Sequence, residues 1–418
     1  MPLLSRTSAF TRVTAIAAQR PVHAAFAWLH RNPKRIMDWQ AQMVAIPAPP
    51  YGEAERAAWL AGHFREAGLS GVETDEAGNV LGTIPAANLP RESTGPVVLL
   101  SAHLDTVFPA GTRIDPVVDG ERLTAPGACD NGAGVAGMLA LIHALIHSSV
   151  PLSAPLVVVG NVGEEGEGDL RGVRHIYNQS ALAGRIAAHI VLDGAGDDTA
   201  VVQALGSRRF KIAIAGPGGH SFTDAGRPNP IAALASALAV LAEIPHLEEP
   251  RTTVNIGTIR GGTSVNSIPE EAQATVDFRS TDTAQLVRLE VALHRAVEDS
   301  VAHWNARAKA GPYGAEALRF SIVKIGERPA GHLPAESPLR EALQAVDRHL
   351  GLRADLRLGS TDANLPLSLG IPAISMGAGG EGGGAHTLAE WFSAQGREIG
   401  LRRVLLLVLS MLDWAANQ

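Results

Sequence analysis

Apolar runs of strand length alternate with longer helical segments through the first half of the chain. Residues 131–147 have the length of a helix and begin at Asn131, a residue type that caps helix N-termini. Residues 35–69 also have a helical pattern. Predominantly apolar runs lie at 97–103, 155–162 and 189–194. Because such strands alternating with helices are typical of a sheet covered on both faces, this part predicts an α/β fold with a mostly parallel sheet between helices.

The pattern changes near Gly206, where hydrophobic and polar residues begin to alternate. Half-exposed strands are predicted at 209–216 and 272–280, and helices at 229–244 and 284–304. The α/β pattern resumes with 335–351 and 372–377. We therefore expect a catalytic domain formed by residues 1–206 and 323–418, into which an α+β sandwich of residues 207–322 is inserted.

Neither end of the chain has a convincing membrane segment. Arg12 and Arg20 interrupt the apolar stretches of the first 35 residues, so we expect an amphipathic leading helix in preference to a targeting peptide. The apolar stretch 405–412 is about half the ~20 residues that a membrane span needs. It is expected to be part of a buried C-terminal helix.

Composition and charge restrict the classes of partner. A chain of 418 residues exceeds the size at which one hydrophobic core stops growing, which supports two domains. The net charge of −7 gives no electrostatic reason to bind nucleic acid or an anionic membrane. Cys129 is the only cysteine, so an intrachain disulfide and a cysteine-based zinc site are excluded and a cytoplasmic location is expected. Small molecules or peptides are the expected partners.

Residues able to bind metals recur where the predicted strands end. They are His103, Asp105, Asp130, Glu164, Glu165, Asp193 and His386. Because open α/β sheets build their sites at the carboxyl ends of strands, these side chains are expected to meet at one edge of the sheet. The set is large enough to hold two divalent ions and to leave one carboxylate to activate water. The pattern therefore predicts a hydrolase.

Taken singly, most of these residues have ordinary structural explanations. Glu164 and Glu165, for example, could form a solvated turn after their strand. Another pair of histidines, His143 and His147, has the i, i+4 spacing of a zinc-binding helix. Ala144 stands where the H-E-x-x-H motif requires glutamate, so we expect this pair to be an ordinary helix face.

Four segments, SAHLDTV, GACDNGAG, GEEGEG and GGGAHT, follow one another in an informative order and spacing. In these segments the chain resembles the M20 family of dinuclear zinc peptidases and amidohydrolases, from about residue 35 to the C-terminus. The resemblance implies a zinc-exopeptidase-type catalytic domain with an inserted dimerisation or lid domain. It also implies two Zn²⁺ per subunit, which Co²⁺ or Mn²⁺ could replace, and a homodimer formed through the inserted domain.

The resemblance assigns a role to each metal-binding residue. His103 and Asp193 would bind one zinc ion, and Glu165 and His386 would bind the other. Asp130 would bridge the two ions, which is physically reasonable because dications ~3.5 to 4 Å apart need shared negative charge.

The resemblance also implies which residues perform the chemistry. Glu164 would be the general base, and Asp105 would orient His103 by accepting a hydrogen bond from its second ring nitrogen. His220 would reach into the active site of the partner subunit and stabilise the developing oxyanion.

Substrate-binding roles are expected for two groups of residues. Asn266 and Arg279 resemble family residues that hold the substrate carboxylate or carbonyl, and a guanidinium can engage a carboxylate with two parallel hydrogen bonds. The second group is the loop with Ser360, Thr361, Asp362 and Asn364. In that loop Asp362 could receive a substrate α-ammonium, although turn formation would equally explain it.

The expected activity is hydrolysis of a peptide bond in a small peptide, by an aminopeptidase, dipeptidase or tripeptidase. Within the family resembled, aspartate at the position of Asp193 is associated with such peptidases and glutamate with carboxypeptidases and deacylases. An N-acyl-amino-acid amidohydrolase or a glutamate carboxypeptidase-like enzyme is the alternative. A catalytically inactive binding protein of the same fold is a further alternative, against which the intact Glu164 argues.

Overall fold

The computed structural model of the protein describes residues 8–88, 94–308 and 317–418. The chain forms two compact units. The first comprises Met1–Ala204 and His332–Gln418, and the second comprises Leu205–Gly331. Residues 1–7 of the predicted leading segment lie outside the described residues.

The first unit begins with a helical layer and the first strands of its sheet. The helices up to Ala204 are α1 (Ala9–Ala17), α2 (Arg20–Arg31), α3 (Pro33–Val44), α4 (Ala54–Glu66), α5 (Gly132–His147) and α6 (Arg171–Asn178). The strands are β1 (Ser70–Thr74), β2 (Val80–Ile84), β3 (Val97–His103), β4 (Val117–Asp119), β5 (Arg122–Thr124), β6 (Leu156–Asn161), β7 (Ile186–Leu192) and β8 (Thr199–Ala204).

The second unit and the return to the first follow in chain order. The second unit contains β9 (Gly206–Ala215), β10 (Gly219–His220), α7 (Pro230–Ala242), β11 (Leu247–Glu248), β12 (Arg251–Gly261), β13 (Ser267–Ile268), β14 (Glu271–Ser280), α8 (Thr283–Arg307) and β15 (Arg319–Arg328). After the boundary strand β16 (Gly331–His332) come α9 (Pro338–Leu350), β17 (Asp355–Gly359), α10 (Asn364–Ser368), β18 (Ala373–Met376), β19 (Glu381–Gly383), β20 (Trp391–Ser393) and α11 (Arg397–Ala415).

The central sheet of the first unit has the strand order β1-β2-β6-β3-β7-β18-β8, and β17 also pairs with β8. The strands β6, β3, β7 and β18 are parallel to one another. The pairs β1–β2, β2–β6 and β18–β8 are antiparallel. The sheet is therefore mixed, with the predicted parallel arrangement at its centre. A short connection joins β1 to β2, and short connections of this kind allow an antiparallel hairpin but no parallel crossover.

Helices cover both faces of this sheet, as the apolar strands predict. Val98 and Leu100 of β3 belong to a large core that also contains residues of α5 and α11. Leu99 of the same strand belongs to a smaller core with Val173 and Ile176 of α6. Successive strand side chains point to opposite faces, so a strand buried on both faces requires apolar residues at every position.

Two helical predictions are refined by the structure. The pattern of residues 35–69 is interrupted between α3 and α4, where Pro47, Pro49 and Pro50 lie. Proline lacks the amide hydrogen that a helix interior requires, and it disfavours helical geometry in the preceding residue. The stretch 405–412 lies inside α11 and is almost entirely buried. In the part of the chain that the structure describes, none of the helices is both long enough and apolar enough to cross a bilayer.

The second unit is an antiparallel sheet with helices packed against it. Its strand order is β11-β12-β14-β9-β15, and α7 and α8 contribute to the same apolar core. Burial alternates along β14, where Phe278 packs against Phe210 of β9 with ring centroids 5.8 Å apart. The sequence places the end of this segment at residue 322, which falls inside β15. Because β15 pairs with β9 along its length, the unit extends to Gly331.

Candidate metal centre

The central parallel strands deliver side chains to one edge of the sheet. β3 ends at His103, whose neighbour on the parallel strand β6 is Asn161. The loop after β6 carries Glu164 and Glu165, and the loop after β7 carries Asp193. Because parallel strands end at the same edge, their loops converge there.

Asp130 lies between two imidazole rings. Its Oδ1 is 3.1 Å from Nε2 of His103, and its Oδ2 is 3.1 Å from Nε2 of His386. A second carboxylate lies beside each ring: Asp193 Oδ1 is 3.8 Å from Nε2 of His103, and Glu165 Oε1 is 3.1 Å from Nε2 of His386. The structure thus brings together five residues that are up to 283 positions apart in the sequence.

The measured distances between donor atoms, 3.1 to 3.8 Å, are close to those found around a bound metal ion. Ligand atoms about 2.0 to 2.2 Å from a tetrahedral ion lie about 3.3 to 3.6 Å from one another. Three groups in the described chain offer ligand atoms within 4.8 Å of one another: His103 with Asp130 and Asp193, Asp130 with Glu165 and His386, and His103 with Glu164 and Glu165. The first two groups share Asp130 and use each of its oxygens once, so the residues fit a pair of adjoining divalent ions.

The electrostatics of the cluster also favour cations. Burial, together with the nearby charge of Asp130, raises the pKa of Glu165 to about 7. The hydrogen bond to Asp130 raises the pKa of His386 to about 9. Burial opposes ionisation of Asp130, but its hydrogen bonds with His103 and His386 hold its pKa below the usual range. The carboxylates therefore depend on nearby positive charge, which divalent ions supply more strongly than protonated imidazoles.

Asp105 holds the loop of the two glutamates. Its two carboxylate oxygens accept hydrogen bonds from the backbone N–H groups of Glu164 (3.0 Å) and Glu165 (2.7 Å). Nδ1 of His103 lies 3.1 Å from the carbonyl oxygen of Asp105 and 3.7 Å from its carboxylate. Since 3.7 Å is too long for a hydrogen bond, the backbone carbonyl and not the predicted carboxylate fixes the ring of His103.

Glu390 was not predicted from the sequence, yet it organises the loop of Asp130. This fully buried carboxylate accepts hydrogen bonds from the backbone N–H groups of Gly127 (2.9 Å), Cys129 (2.8 Å) and Asp130 (2.7 Å). The sequence did contain a signal for this role, because Glu390 stands directly before the apolar residues Trp391 and Phe392. A carboxylate buried in such a position needs several hydrogen-bond donors.

Asn131 connects the Asp130 loop with the loop of Asp193. Its Oδ1 accepts hydrogen bonds from the N–H groups of Gly134 and Gly194, both at 3.1 Å, and its Nδ2 donates to the carbonyl of Leu192 at 2.9 Å. The predicted helix cap is therefore present, and the same side chain also fixes the residues that flank Asp193. The peptide bond between Asp130 and Asn131 is cis.

His386 reaches the cluster from a glycine-rich loop. Its φ angle is 64°, in the left-handed region that side-chain-bearing residues rarely adopt, and it follows Gly384 with φ 70°. The His386 side chain is 54% exposed, whereas that of Glu165 is 9% exposed. Backbone strain of this kind is concentrated at functional sites, and the exposed ring lies on the solvent side of the cluster.

The loop predicted to bind substrate is largely enclosed. Asp362 is fully buried, and its Oδ2 accepts a hydrogen bond from Nδ2 of Asn161 at 2.7 Å. Thr361 and Asn364 are also buried, and Oδ1 of Asn364 accepts from the Thr361 N–H at 2.8 Å; Ser360 is partly buried. The Asp362 carboxylate is thus bound within the fold by Asn161, and its contact with a substrate ammonium stays a prediction.

Two predicted residues lie side by side on the second unit. His220 is exposed on β10, and its Nδ1 accepts hydrogen bonds from the N–H groups of Phe222 (3.2 Å) and Thr223 (3.3 Å). An accepting ring nitrogen carries no proton, so a neutral His220 presents Nε2–H as a donor. Asn266 is adjacent, because its carbonyl accepts from the Ser221 N–H at 3.0 Å.

Arg279 also belongs to the second unit. Its Nε donates to Oδ2 of Asp277 at 2.8 Å, and its side chain is 39% exposed. Asp277 lies 3.4 Å from Arg209 as well. Arg279 is therefore an exposed strand residue held by a neighbouring carboxylate, and its predicted contact with a substrate carboxylate stays a prediction.

An α/β fold that gathers imidazole and carboxylate side chains at its strand ends is typical of metal-dependent hydrolases. Residues 99–410 match the sequence profile of peptidase family M20/M25/M40. The chain belongs to this family, whose members are metallopeptidases and related hydrolases. The fold class and the family expected from the sequence are thereby confirmed.

Individual relatives agree with this assignment. The chain is 31% identical to the cytosol non-specific dipeptidase of Escherichia coli (strain K12) over 271 residues, which cover 59% of this chain and 53% of the relative. The match thus spans about half the length of that protein. A tripeptidase of Staphylococcus aureus has the same fold, with a TM-score of 0.73, 22% identity and coverage of 93% of this chain and 99% of the other. The YXEP protein of Bacillus subtilis, described as a dinuclear metal-binding peptidase, superimposes with a TM-score of 0.66, 18% identity and coverage of 92% and 99%.

Proposed function

We propose that the protein is a dinuclear zinc exopeptidase that hydrolyses small peptides as an aminopeptidase, dipeptidase or tripeptidase. The observation that carries this proposal is the position of Asp130, whose two oxygens each lie 3.1 Å from a different imidazole nitrogen. A carboxylate placed in this way suits sharing between two cations, whose mutual repulsion it reduces.

The proposed ligands divide into two sets around Asp130. His103 and Asp193 complete one set, and Glu165 and His386 complete the other. Mixed imidazole and carboxylate ligands favour zinc, although cobalt or manganese can occupy such a set. Two bound ions would polarise the scissile carbonyl and lower the pKa of the attacking water.

The proposed proton transfers depend on Glu164. Asp105 holds the backbone of Glu164 and Glu165, so the two adjacent side chains can take different positions and different tasks. Glu164 would accept a proton from the attacking water and deliver it to the leaving amine. The Nε2–H donor of His220 is suited to stabilising the carbonyl oxygen as it gains negative charge.

A peptide substrate is favoured over an N-acyl amino acid by one comparison and by the resemblance described above. The E. coli relative is a dipeptidase, and the resemblance associates aspartate at the position of Asp193 with peptidases. One observation keeps the N-acyl-amino-acid amidohydrolase, or a glutamate carboxypeptidase-like enzyme, as a second candidate. Asp362, which could have received a free α-ammonium, is enclosed, and an N-acylated substrate needs no ammonium-binding carboxylate.

The test compares substrates that differ in length and in acetylation of the N-terminus. Zinc-loaded protein is incubated with Leu-Gly, Leu-Gly-Gly, N-acetyl-leucine and N-acetyl-Leu-Gly, and the products are separated by chromatography. We expect release of leucine from the two free peptides. Cleavage of N-acetyl-leucine alone would establish a deacylase, and removal of glycine from N-acetyl-Leu-Gly would establish a carboxypeptidase. Absence of turnover with every compound would favour the inactive binding protein.

A homodimer formed through the second unit is part of the proposal. β12 pairs with β14 along one side, whereas β11 covers only Arg251 and Thr252 on the other. An exposed strand edge of this length can pair with the same edge of a second copy. Sedimentation equilibrium tests the dimer, and replacing Ile256 by proline within β12 should shift it to monomer. A cytoplasmic location, tested by cell fractionation, is proposed as well.

A further inference from the structure

The turn that joins α3 to α4 presents an exposed aromatic ring. Tyr51 is 71% exposed, and its φ angle is 69°, in the left-handed region that bulky residues rarely adopt. A single exposed apolar side chain needs no explanation. An aromatic residue held in a strained backbone conformation does, because such strain is costly and is concentrated at functional sites.

The strained positions of the described chain gather around the candidate metal centre. The residues other than glycine that have a positive φ there are Tyr51, Ser149, Asp169, Leu170 and His386. His386 is a proposed ligand, and Asp169 and Leu170 follow the loop of the two glutamates. Tyr51 is distant from them in sequence, yet it shares their backbone conformation. Its place in the structure explains this.

The turn of Tyr51 is attached to two loops of the metal centre. The carbonyl oxygen of Ala48 accepts a hydrogen bond at 2.9 Å from the N–H of Thr106, which follows Asp105. The hydroxyl of Tyr51 donates to the carbonyl oxygen of Glu167 at 3.3 Å, two residues after the proposed ligand Glu165. The ring of Tyr51 therefore lies at the rim of the metal centre.

The ring is also held in one position. The N–H of Gly52 donates to the carbonyl oxygen of Pro49 at 2.8 Å and closes the turn that carries Tyr51. The guanidinium of Arg171 lies over the ring, 4.8 Å from its centroid, and pairs with the buried Glu53 at 2.6 Å. A ring fixed in this way loses little conformational entropy when a ligand packs against it, so an apolar group gains affinity there.

We propose that Tyr51 determines substrate specificity by packing against a bulky apolar side chain next to the scissile bond. This inference rests on the proposed hydrolysis of small peptides and adds a substrate class to it. Tyr51 is neither a proposed ligand nor the proposed general base, so it would act only through contact with the substrate. Substrates with leucine beside the scissile bond are therefore preferred over those with glycine.

Steady-state kinetics with three tripeptides tests this role. Zinc-loaded full-length protein is assayed with Leu-Gly-Gly, Gly-Leu-Gly and Gly-Gly-Gly. We expect the wild-type kcat/KM for at least one leucine peptide to exceed that for Gly-Gly-Gly by about 10- to 100-fold. Tyr51→Ala should reduce this ratio by about 10-fold, mainly through a higher KM for the leucine peptide. Because both substrates are measured on the same protein, a smaller folded fraction does not change the ratio.

Two variants separate contact with the substrate from support of the fold. Tyr51→Phe keeps the ring and loses only the hydroxyl contact with Glu167, so it should retain the wild-type ratio. Phe10→Ala removes another ring that lies under a guanidinium, that of Arg348 at 4.4 Å, and should leave the ratio unchanged because Phe10 lies on α1. A wild-type ratio near one, or equal ratios in the wild type and Tyr51→Ala, would overturn the role of Tyr51.

Failure of this role is distinguishable from failure of the proposed function. Hydrolysis of the tripeptides with no effect of Tyr51→Ala would contradict the specificity role and leave the peptidase intact. Cleavage of N-acetylated compounds alone would contradict the peptidase, and the ratio for N-acetyl-leucine over N-acetylglycine would then test Tyr51 in the same way. Absence of turnover with every compound would contradict both.

Discussion

Histidines in two regions of the first unit have opposite electrostatic surroundings. At the carboxyl edge of the sheet, His386 lies 3.1 Å from both Asp130 and Glu165, and the hydrogen bond to Asp130 raises its pKa to about 9. In the helical layer, His143 stacks against both Trp28 and Trp39, with centroid distances of 5.9 and 4.7 Å. Burial lowers the pKa of His143 to about 4.

The difference shows that neighbouring side chains, and not residue type or spacing, decide whether a histidine can bind a metal. His143 and His147 have the spacing of a zinc helix, but aromatic rings surround His143. Within residues 8–88, 94–308 and 317–418, every group of imidazole and carboxylate atoms close enough to hold an ion includes Asp130 or Glu165. A metal requires the negative partners that the strand-end loops supply and the helical layer does not.

The largest effect is expected at Glu164, where a substitution can separate catalysis from metal binding. Glu164→Gln should reduce kcat by about 10²- to 10⁴-fold, because the amide cannot accept a proton from water. Zinc content, measured by mass spectrometry of the dialysed protein, should be unchanged. The control is Glu167→Gln, an exposed residue in the adjoining turn, which should keep normal turnover. Normal turnover in Glu164→Gln would remove this residue from the proposed mechanism.

A smaller effect is expected at Asp105, which holds the backbone of the loop that carries Glu164 and Glu165. Asp105→Asn retains one acceptor oxygen but leaves one of the two loop N–H groups unpaired, so kcat/KM should fall by about 10- to 100-fold. Asp75 provides a matched control, because its carboxylate accepts from the N–H groups of Ala77 and Asn79 in a turn that carries none of the proposed ligands. Asp75→Asn should leave kcat/KM unchanged. Equal losses in the two variants would indicate general destabilisation.

Glu390 tests whether the Asp130 loop is held in place for metal binding. In Glu390→Gln the amide offers fewer acceptor lone pairs to the three N–H groups, so zinc affinity should fall by about 10-fold. Competition with a fluorescent chelator measures this change. Activity should recover at high zinc concentration, since the ligands themselves are intact. A loss of activity that added zinc does not reverse would assign Glu390 a different role.

The central strands and the clustering of imidazole and carboxylate residues at their ends could be predicted from the sequence, whereas the supporting contacts could not. β3 is apolar on both faces and ends at a histidine, so pattern and chemistry coincide at His103. Glu390 and Asn131 act through backbone N–H groups of loops distant in sequence, and no periodicity reports such contacts. The enclosure of Asp362 could not be predicted either, because its carboxylate binds Asn161 at the end of β6, 201 positions earlier.

The smallest effect is expected at His143, which lies in the apolar helical layer. In the unfolded protein, His143 takes up a proton as the pH falls through about 6.5, but in the folded protein it does so only near pH 4. Stability from the neutral ring is therefore complete above pH 6.5 and is lost as the pH falls towards 4. After allowance for partial exposure to water, the loss should be about 1 to 2 kcal/mol.

His143→Phe isolates this contribution, because phenylalanine keeps a ring against the two tryptophans and cannot be protonated. Urea unfolding followed by tryptophan fluorescence at pH 7 and pH 4.5 gives the free energy of unfolding. The wild type should lose more stability between these pH values than His143→Phe, and His147→Phe, at an exposed position one turn away, should behave as the wild type. Identical losses in all three proteins would contradict this description of the helical layer.

Metal counting on Asp130→Asn tests the proposed shared carboxylate most directly. The wild type and the variant are loaded with zinc, dialysed and analysed by mass spectrometry, with circular dichroism to verify folding. We predict two zinc ions per wild-type chain and less than one in folded Asp130→Asn, because both ligand sets lose a charged oxygen. One ion in the wild type, or two ions retained with unchanged affinity in Asp130→Asn, would contradict a centre built around Asp130.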